Sequence, residues 1–500
     1  MTHRIRITNF RAGAALALVA IALTACRQEA PSEPSQVEGE KIPITTSSKT
    51  ARKLFLKGRQ LADRIRFTDA RDYFLLAIDE DPQFALAYLY LANNSASAKE
   101  FFSSLKKAVF LAEEVSDGER LWILGRDAGN RGKPEVQREK FERLVELYPR
   151  DERAHNLLGG FYFGRQEYEK AIEHYQRATE INPEFSQPYN QLGYAFRSLG
   201  DFEQAELAFR KYIDLIPDEP NPYDSYAELL MKVGRHQESI ENYQKALEKN
   251  PQFLPSFIGI GNNQMFLGDF QGARDTFDEI YDSARHDGER RIAIFWTAVS
   301  YAFEDDVEHA VEAVQRMSAI AEQDDDKAAM AGDQVFLGSI LLYKGSPDVA
   351  RTSFERALEL AEEADVNDDV KETARRNLDY QMARVAIAQG RLDEAKSSAA
   401  RFGAAARAKG IANELQRSHE LDGILALLRG DTEEASAELV QANKQNPVVL
   451  YWQARAAFES GDFERARTLA ESAARFNELT PNFAYIRSRA VELLETLSGA

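Results

Sequence analysis

The stretch "AHNLLGGFYFGRQEYEKAIEHYQRATEINP" (residues 154–183) is followed by two stretches with the same order of small, large and polar residues. They are "PYNQLGYAFRSLGDFEQAELAFRKYIDLIP" (188–217) and "PYDSYAELLMKVGRHQESIENYQKALEKNP" (222–251), and the last prolines of the three lie 34 residues apart. Apolar residues recur three and four positions apart, which is the spacing of one face of a helix. Because proline cannot continue a helix, each stretch predicts two helices and a turn into the next copy.

A 34-residue period with this pattern resembles the tetratricopeptide repeat. In the first stretch the matching residues are Leu158, Gly159, Tyr162, Ala171, Tyr175, Ala178 and Pro183. In the second they are Leu192, Gly193, Phe196, Ala205, Phe209 and Pro217, and upstream Gly58, Ala70, Phe74, Ala77 and Pro82 fit the same frame. Gly159 and Ala171 are small where two helices must approach closely, and Tyr175 is large where the neighbouring unit must be filled.

The repeats continue to the C-terminus and predict an all-α, right-handed superhelical solenoid of about a dozen antiparallel helix pairs. Residues 50–286 hold the regular repeats. Residues 287–500 hold degenerate ones, with acidic inserts at 322–326 and 363–369 that stretch the spacing. The last segment, 481–497, is expected to form a closing helix with a polar outer face, since solenoids need caps.

The N-terminus has a different character. Arg4, Arg6 and Arg11 precede an apolar run that ends in Leu23-Thr24-Ala25-Cys26, and Cys26 is the only cysteine of the chain. The run is too short to span a bilayer, and a basic start with a short apolar core is typical of an export signal. The segment resembles the lipobox of bacterial lipoproteins. The resemblance implies a signal peptide over 1–25 and diacylglycerol and acyl groups on Cys26.

Residues 26–49 are rich in Pro, Ser and Glu and predict a disordered tether. The expected location is the bacterial cell envelope, facing the periplasm. The residue after Cys26 is arginine rather than aspartate, which favours the outer membrane. An ordinary signal peptide with a chance cysteine, or a short membrane anchor, is the alternative.

Composition excludes several functions. The formal net charge is −19, which argues against nucleic acid as a partner. No two histidines have the spacing of a zinc motif, and the acidic insert at 322–326 lacks the spacing and glycine of an EF-hand. The sequence therefore predicts no catalytic residue, no metal ligand and no cofactor, and the chain is not expected to be an enzyme.

What remains is a surface for a protein or peptide partner. In the tetratricopeptide family, groove positions fall on the first-helix face opposite the packing residues. Carried onto this frame, they are Asn156, Phe163, Asn190, Tyr194, Arg197, Asp224, Glu228, Met231, Asn262 and Met265. Asparagine side chains can bond to the backbone of an extended peptide, while aromatic residues and methionines offer apolar anchors. Members of the family that clamp a peptide carboxylate use several cations, and here only Arg197 is available.

The resulting hypothesis is a membrane-anchored, protein-binding scaffold that acts in envelope assembly, secretion or cell-wall processes. An accessory subunit of an envelope enzyme or polysaccharide-export complex is the second hypothesis. An enzyme with a hidden site is the third, and no residues in the sequence support it. The architecture alone does not decide among these processes.

Overall fold

The computed structural model describes residues 41–95 and 98–499, which form α-helices and no strand. The first twelve helices are α1 Lys49–Asp63, α2 Phe67–Glu80, α3 Ala85–Asn93, α4 Ala98–Leu111, α5 Asp117–Asn130, α6 Pro134–Leu147, α7 Glu152–Gly164, α8 Tyr168–Ile181, α9 Ser186–Leu199, α10 Phe202–Leu215, α11 Pro220–Lys232 and α12 His236–Lys249. The others are α13 Leu254–Phe266, α14 Phe270–Ser283, α15 Asp287–Phe303, α16 Val307–Gln323, α17 Lys327–Tyr343, α18 Pro347–Glu363, α19 Asp368–Ala388, α20 Leu392–Lys409, α21 Ala412–Leu428, α22 Thr432–Gln441, α23 Pro447–Glu459, α24 Phe463–Ala474 and α25 Asn482–Gly499. A short 3-10 turn, Ala112–Glu114, precedes α5.

Successive helices pack in pairs, from α1 with α2 to α23 with α24, and α25 follows as a single closing helix. Each pair also packs on the next one, so the fold is the predicted all-α solenoid of twelve helix pairs. The turn between α9 and α10 shows how a pair is joined. Gly200 ends α9 with a φ of 80°, a left-handed conformation that suits glycine. Asp201 then caps α10 by accepting a hydrogen bond from the Gln204 amide at 3.2 Å.

The two helices of a pair meet through a glycine and an aromatic ring. The sequence predicts the close approach at Gly159 but assigns Tyr175 to the contact with the neighbouring unit. A methyl group on Gly159 would lie 2.7 Å from the Tyr175 ring, and one on Gly193 would lie 2.5 Å from Phe209. Such distances are too short for carbon atoms, so no larger residue fits without a shift. Tyr175 and Phe209 are fully buried. Burial of such large rings stabilises the contact between the two helices.

The stretched spacing of the second half comes from longer helices. Helices α7 to α14 have 13 or 14 residues, whereas α15 to α18 each have 17 and α19 has 21. The acidic insert at 322–326 ends as a tight turn, in which Asp326 caps α17 by accepting from the Ala329 amide at 2.9 Å. The two pairs α15–α18 are therefore regular pairs with about one added helical turn, and α19 has about two, whereas α22 to α24 have only 10 to 13 residues.

Residues 41–48, which the sequence assigned to the tether, are packed against the solenoid. The Ile42 amide donates to the Asp151 carboxylate at 2.9 Å, and the Thr45 amide donates to Glu119 at 2.8 Å. Ile42 is buried. The predicted boundary at residue 49 is therefore wrong, because carboxylates at the starts of α5 and α7 bind this backbone. The signal peptide 1–25, Cys26 and the rest of the tether lie outside the described residues.

The closing helix begins one residue after its predicted start, and its expected polar outer face is limited to its C-terminal half. Glu492 and Glu495 are exposed there, whereas the first turn is buried on all sides, at Phe483, Ala484, Tyr485 and Ile486. The helix packs on α23 and α24 and also contacts α15 and α17, which precede it by more than a hundred residues. The solenoid therefore curves far enough for its last helix to touch its middle. Within residues 41–95 and 98–499, no helix has both the length and the apolarity needed to cross a bilayer.

Candidate functional site

The predicted groove residues lie on four first helices, α7, α9, α11 and α13, and each of these contacts the next first helix along the solenoid. They form three rows in which neighbours are 34 residues apart. The rows are Asn156, Asn190 and Asp224; Tyr194, Glu228 and Asn262; and Phe163, Arg197, Met231 and Met265. The repeat thus brings side chains from four units onto one continuous surface, as a solenoid does.

The first row has buried amide oxygens without a hydrogen-bond partner. Asn190 is 8% exposed, Asn156 is half-buried, and the Oδ1 atoms of both have no partner among the described residues. Asp224, the third member, is 4% exposed and accepts a hydrogen bond from the Ser256 hydroxyl at 2.7 Å. Leaving a buried acceptor unbonded costs about 1–3 kcal/mol. The row therefore holds two buried, unbonded acceptors, which a backbone N–H of a bound chain would satisfy once these side chains turn toward it.

Beside this row, Tyr194 and Arg197 are held by several contacts. The Tyr194 ring packs edge-on against Phe209 at 5.2 Å, and its hydroxyl donates to the Ser225 hydroxyl at 3.2 Å. The Arg197 guanidinium lies 4.9 Å from the centre of the Tyr194 ring and forms an ion pair with Glu228 at 3.1 Å. Since Glu228 already neutralises Arg197, the arginine is not a free cation for a peptide carboxylate.

The carboxyl groups of Asp224 and Glu228 have raised pKa values. Burial, and then the nearby Glu228 carboxylate, raise the pKa of Asp224 to about 8. Burial also raises the pKa of Glu228, although the charge of Arg197 opposes that rise. Glu478, which lies between α24 and α25, adds to the increase in the pKa of Glu228. Glu478 therefore influences the titration of Glu228, which is 250 positions away in sequence. The repeat pattern does not predict this proximity.

Residues 476–499, hereafter the closing segment, cover the far end of the predicted groove. Phe483 lies 4.8 Å from the ring of Phe266 and 5.0 Å from that of Phe303. Tyr485 stacks on Tyr343 at 4.8 Å. These partners sit at the C-terminal ends of α13, α15 and α17. The closing segment is thus a helix seated on three first helices of its own chain.

Three of the predicted groove residues are not accessible to a separate partner. Met231 and Met265 are 1% exposed, and Asn262 is fully buried. Met265 belongs to the same buried cluster as Phe483, while Lys232, next to Met231, pairs with Glu478 and lies over the Phe476 ring. The expectation that the methionines are open anchors is therefore wrong. The expectation assumed that nothing in the chain itself occupied this part of the surface.

Sequence spacing also missed a contact between two histidines. The Nδ1 atoms of His155 and His174 lie 3.2 Å apart, and the His174 ring stacks on Tyr162 at 5.6 Å. Burial lowers the pKa of both histidines. The two residues lie on the two helices of one pair, 19 positions apart, which is no motif spacing. In the part of the chain that the structure describes, no three His, Cys, Asp or Glu side chains are grouped to hold a metal ion.

Family comparisons agree with the repeat assignment. Profiles described as "TPR repeat" and "Tetratricopeptide repeat" match residues 161–200, 186–219, 221–253, 334–363 and 421–482. No curated protein matches the chain.

Solved structures with a similar fold include MamA, residues 41 to the end, from Desulfovibrio magneticus RS-1. It is 14% identical, and the match covers 33% of this chain and 93% of that one with a TM-score of 0.30. Another is TTC0263, a thermophilic TPR protein in Thermus thermophilus. It is 21% identical, and the match covers 43% of this chain and 99% of that one with a TM-score of 0.29.

Proposed function

The chain is a tetratricopeptide-repeat protein, and from that premise we propose that it is a non-catalytic scaffold that binds an extended segment of a partner protein along α7 and α9. The observation that carries the proposal is the pair of buried, unbonded amide oxygens on Asn156 and Asn190. An extended backbone offers N–H groups at regular intervals on one side, and two acceptors on neighbouring first helices match such a donor row.

The surroundings of these acceptors suit a peptide. Phe163 and Tyr194 are half-buried, so each offers part of a ring to an incoming side chain. None of the hydrogen bonds, ion pairs or ring contacts of the described residues joins Asn156, Phe163 or Asn190 to the closing segment. Asp224, whose raised pKa of about 8 keeps it protonated at neutral pH, and Glu228, which is paired with Arg197, lie one repeat further along and add little net negative charge beside the acceptors.

A photo-crosslinking experiment tests this site. Benzoylphenylalanine in place of Phe163 should link the partner when the protein is irradiated in its native cell envelope. The matched control is the same group in place of Leu207, which lies on the second helix α10 and is 56% exposed. A partner captured at position 163 and not at 207 supports the groove. Equal capture at both positions, or at 207 alone, rejects it.

The proposal places the scaffold on the periplasmic side of a bacterial outer membrane, held by acyl groups on Cys26. The support is the sequence Leu23-Thr24-Ala25-Cys26 after a short apolar run. Several acyl chains give stable attachment where one gives only marginal binding. We expect Cys26→Ser to abolish incorporation of a clickable palmitate and to release the protein from the membrane fraction. If the variant is labelled as strongly as the wild type, the lipid anchor is wrong.

A further inference from the structure

A cavity of about 270 Å³ lies between α17, α18 and α19, away from the groove described above. Its wall is made mostly of small and aliphatic side chains, among them Ala331, Ala357, Ala361, Ala374 and Leu378. The volume is nearly twice that of an engineered cavity of about 150 Å³ that binds benzene. An apolar wall with a few polar groups is typical of small-molecule sites.

The cavity has a clear origin in the added helical turn of these repeats. Around Gly338, α17 packs tightly on α18, because a methyl group there would lie 2.6 Å from Phe354. Nearer the start of α17, a methyl group on Gly332 would meet no atom within 4 Å. The added turns of α17 and α18 carry alanines where a filled interface would carry larger residues. The helices are therefore long enough to create the space, and their side chains are too small to fill it.

The polar residues of the cavity wall lie on α19 and α21. One of them, Arg417, is a cation. Arg417 donates to the Asn377 side chain at 2.8 Å and lies 3.6 Å from the centre of the Tyr380 ring. Among the described residues it forms no salt bridge. The neighbouring Glu414 is engaged by Arg376 at 2.8 Å. Among the described lining residues Arg417 is the one cation available to an anion, and the nearby Glu420 carboxylate, which also interacts with it, is bonded by the Tyr380 hydroxyl.

We propose that this cavity binds a single-chain amphiphile, with its alkyl chain between α17 and α19 and its anionic headgroup against Arg417. The apolar wall would bury the chain, which is favourable by about 25 cal/mol per Å² of apolar surface removed from water. The guanidinium would form charge-assisted hydrogen bonds with the headgroup. A carboxylate is the simplest headgroup of this kind, so a medium-chain fatty acid has the required chemistry. This site is independent of the proposed peptide groove.

Calorimetric titration of the purified protein with decanoate tests the proposal. We expect one decanoate per chain. Gly332→Leu, which fills the opening, and Ala361→Leu, which fills the buried wall, should each weaken binding at least tenfold. The control is Ala437→Leu, on an exposed position of α22, which should leave the affinity unchanged. Circular dichroism should show the same helicity for all variants. Two filling variants are used so that the test remains possible if one of them fails to fold.

A second experiment tests whether Arg417 binds the headgroup. Arg417→Gln should weaken decanoate binding about tenfold and leave 1-decanol binding unchanged, because the alcohol carries no charge. Failure of the folded wild type to bind decanoate would overturn the proposal. So would decanoate binding that survives both filling variants. Equal loss of decanoate and decanol in Arg417→Gln would show that the arginine shapes the cavity and does not bind the headgroup.

Discussion

Two stretches of the same inner surface differ in whether the closing segment packs on them. On α7 and α9 the first helices present Asn156 and Asn190, whose buried amide oxygens have no partner among the described residues. On α13, α15 and α17 they present aromatic rings, and the closing segment seats Phe483 and Tyr485 on them. One repeat frame builds both stretches. The side chains decide which of them the chain covers itself, because apolar surface gains from burial and polar surface does not.

The comparison predicts its largest effect at Phe483. Phe483→Ala removes a fully buried ring from between Phe266 and Phe303, so we expect the free energy of unfolding to fall by about 3–5 kcal/mol. Urea unfolding followed by circular dichroism measures the change. The control is Phe110→Ala, since Phe110 is 74% exposed and its loss should cost less than about 0.5 kcal/mol. Equal costs for the two variants would mean that the closing segment is not packed on the middle of the solenoid.

An intermediate effect is expected at Asp224, and it depends on pH. The raised pKa of about 8 means that the native state keeps a proton that the unfolded carboxyl releases near pH 4. The wild type should therefore lose stability as pH rises from about 4 to about 8. Asp224→Asn cannot titrate and can still accept from Ser256. We expect it to match the wild type at pH 4 and to become progressively more stable than the wild type as pH rises to 8.

Thermal unfolding of both proteins at several pH values measures this difference. Glu228 also has a raised pKa and remains in both proteins, so only the gap between the two curves reports on Asp224. A gap that does not widen with pH would contradict the assignment of a protonated, buried Asp224.

The smallest effect is expected at the ion pair that joins the two parts of the chain. Lys232 and Glu478 are 246 residues apart in sequence, and both side chains are partly exposed. Partly exposed pairs contribute little because solvent screens them. Glu478→Gln should change the free energy of unfolding by less than about 1 kcal/mol. The variant also removes a negative charge near Glu228, which partly offsets the loss of the ion pair. A loss as large as that of Phe483→Ala would mean that charge, and not ring packing, holds the closing segment.

Much of the fold was predictable from the sequence, because each helix pair is specified locally. The contact of Gly159 with Tyr175 involves residues 16 positions apart that recur in the regular units, so periodicity reveals it. The return of Phe483 to Phe266 was not predictable in this way. That contact joins residues more than 200 positions apart, occurs once, and depends on the summed curvature of many repeats.

The candidate site shows the same limit. The ten predicted residues do lie on four successive first helices, as the repeat frame predicts. The sequence could not show that the closing segment covers Met265, because a single repeat frame contains no information about a segment from the other end of the chain. The docking of residues 41–48 escaped prediction for the same reason.

If the stretch on α7 and α9 is kept polar for a partner, Asn190→Ala should weaken binding and leave the fold intact. Two quantities are measured: the affinity of the variant for the partner captured at position 163, and the free energy of unfolding of the variant alone. Because Asn190 Oδ1 has no partner among the described residues of the free protein, its removal should not lower the free energy of unfolding. Binding should weaken by about 1–3 kcal/mol, since a donor of the partner is then left unbonded.

The control for this measurement is Asn242→Ala. Asn242 is also 8% exposed but lies on the second helix α12, where its side chain donates to the Glu238 carbonyl at 2.8 Å. Its loss should lower stability and leave the affinity unchanged. The account predicts this opposite pattern for the two asparagines. An Asn190→Ala protein that unfolds more easily and binds the partner as tightly as the wild type would contradict it.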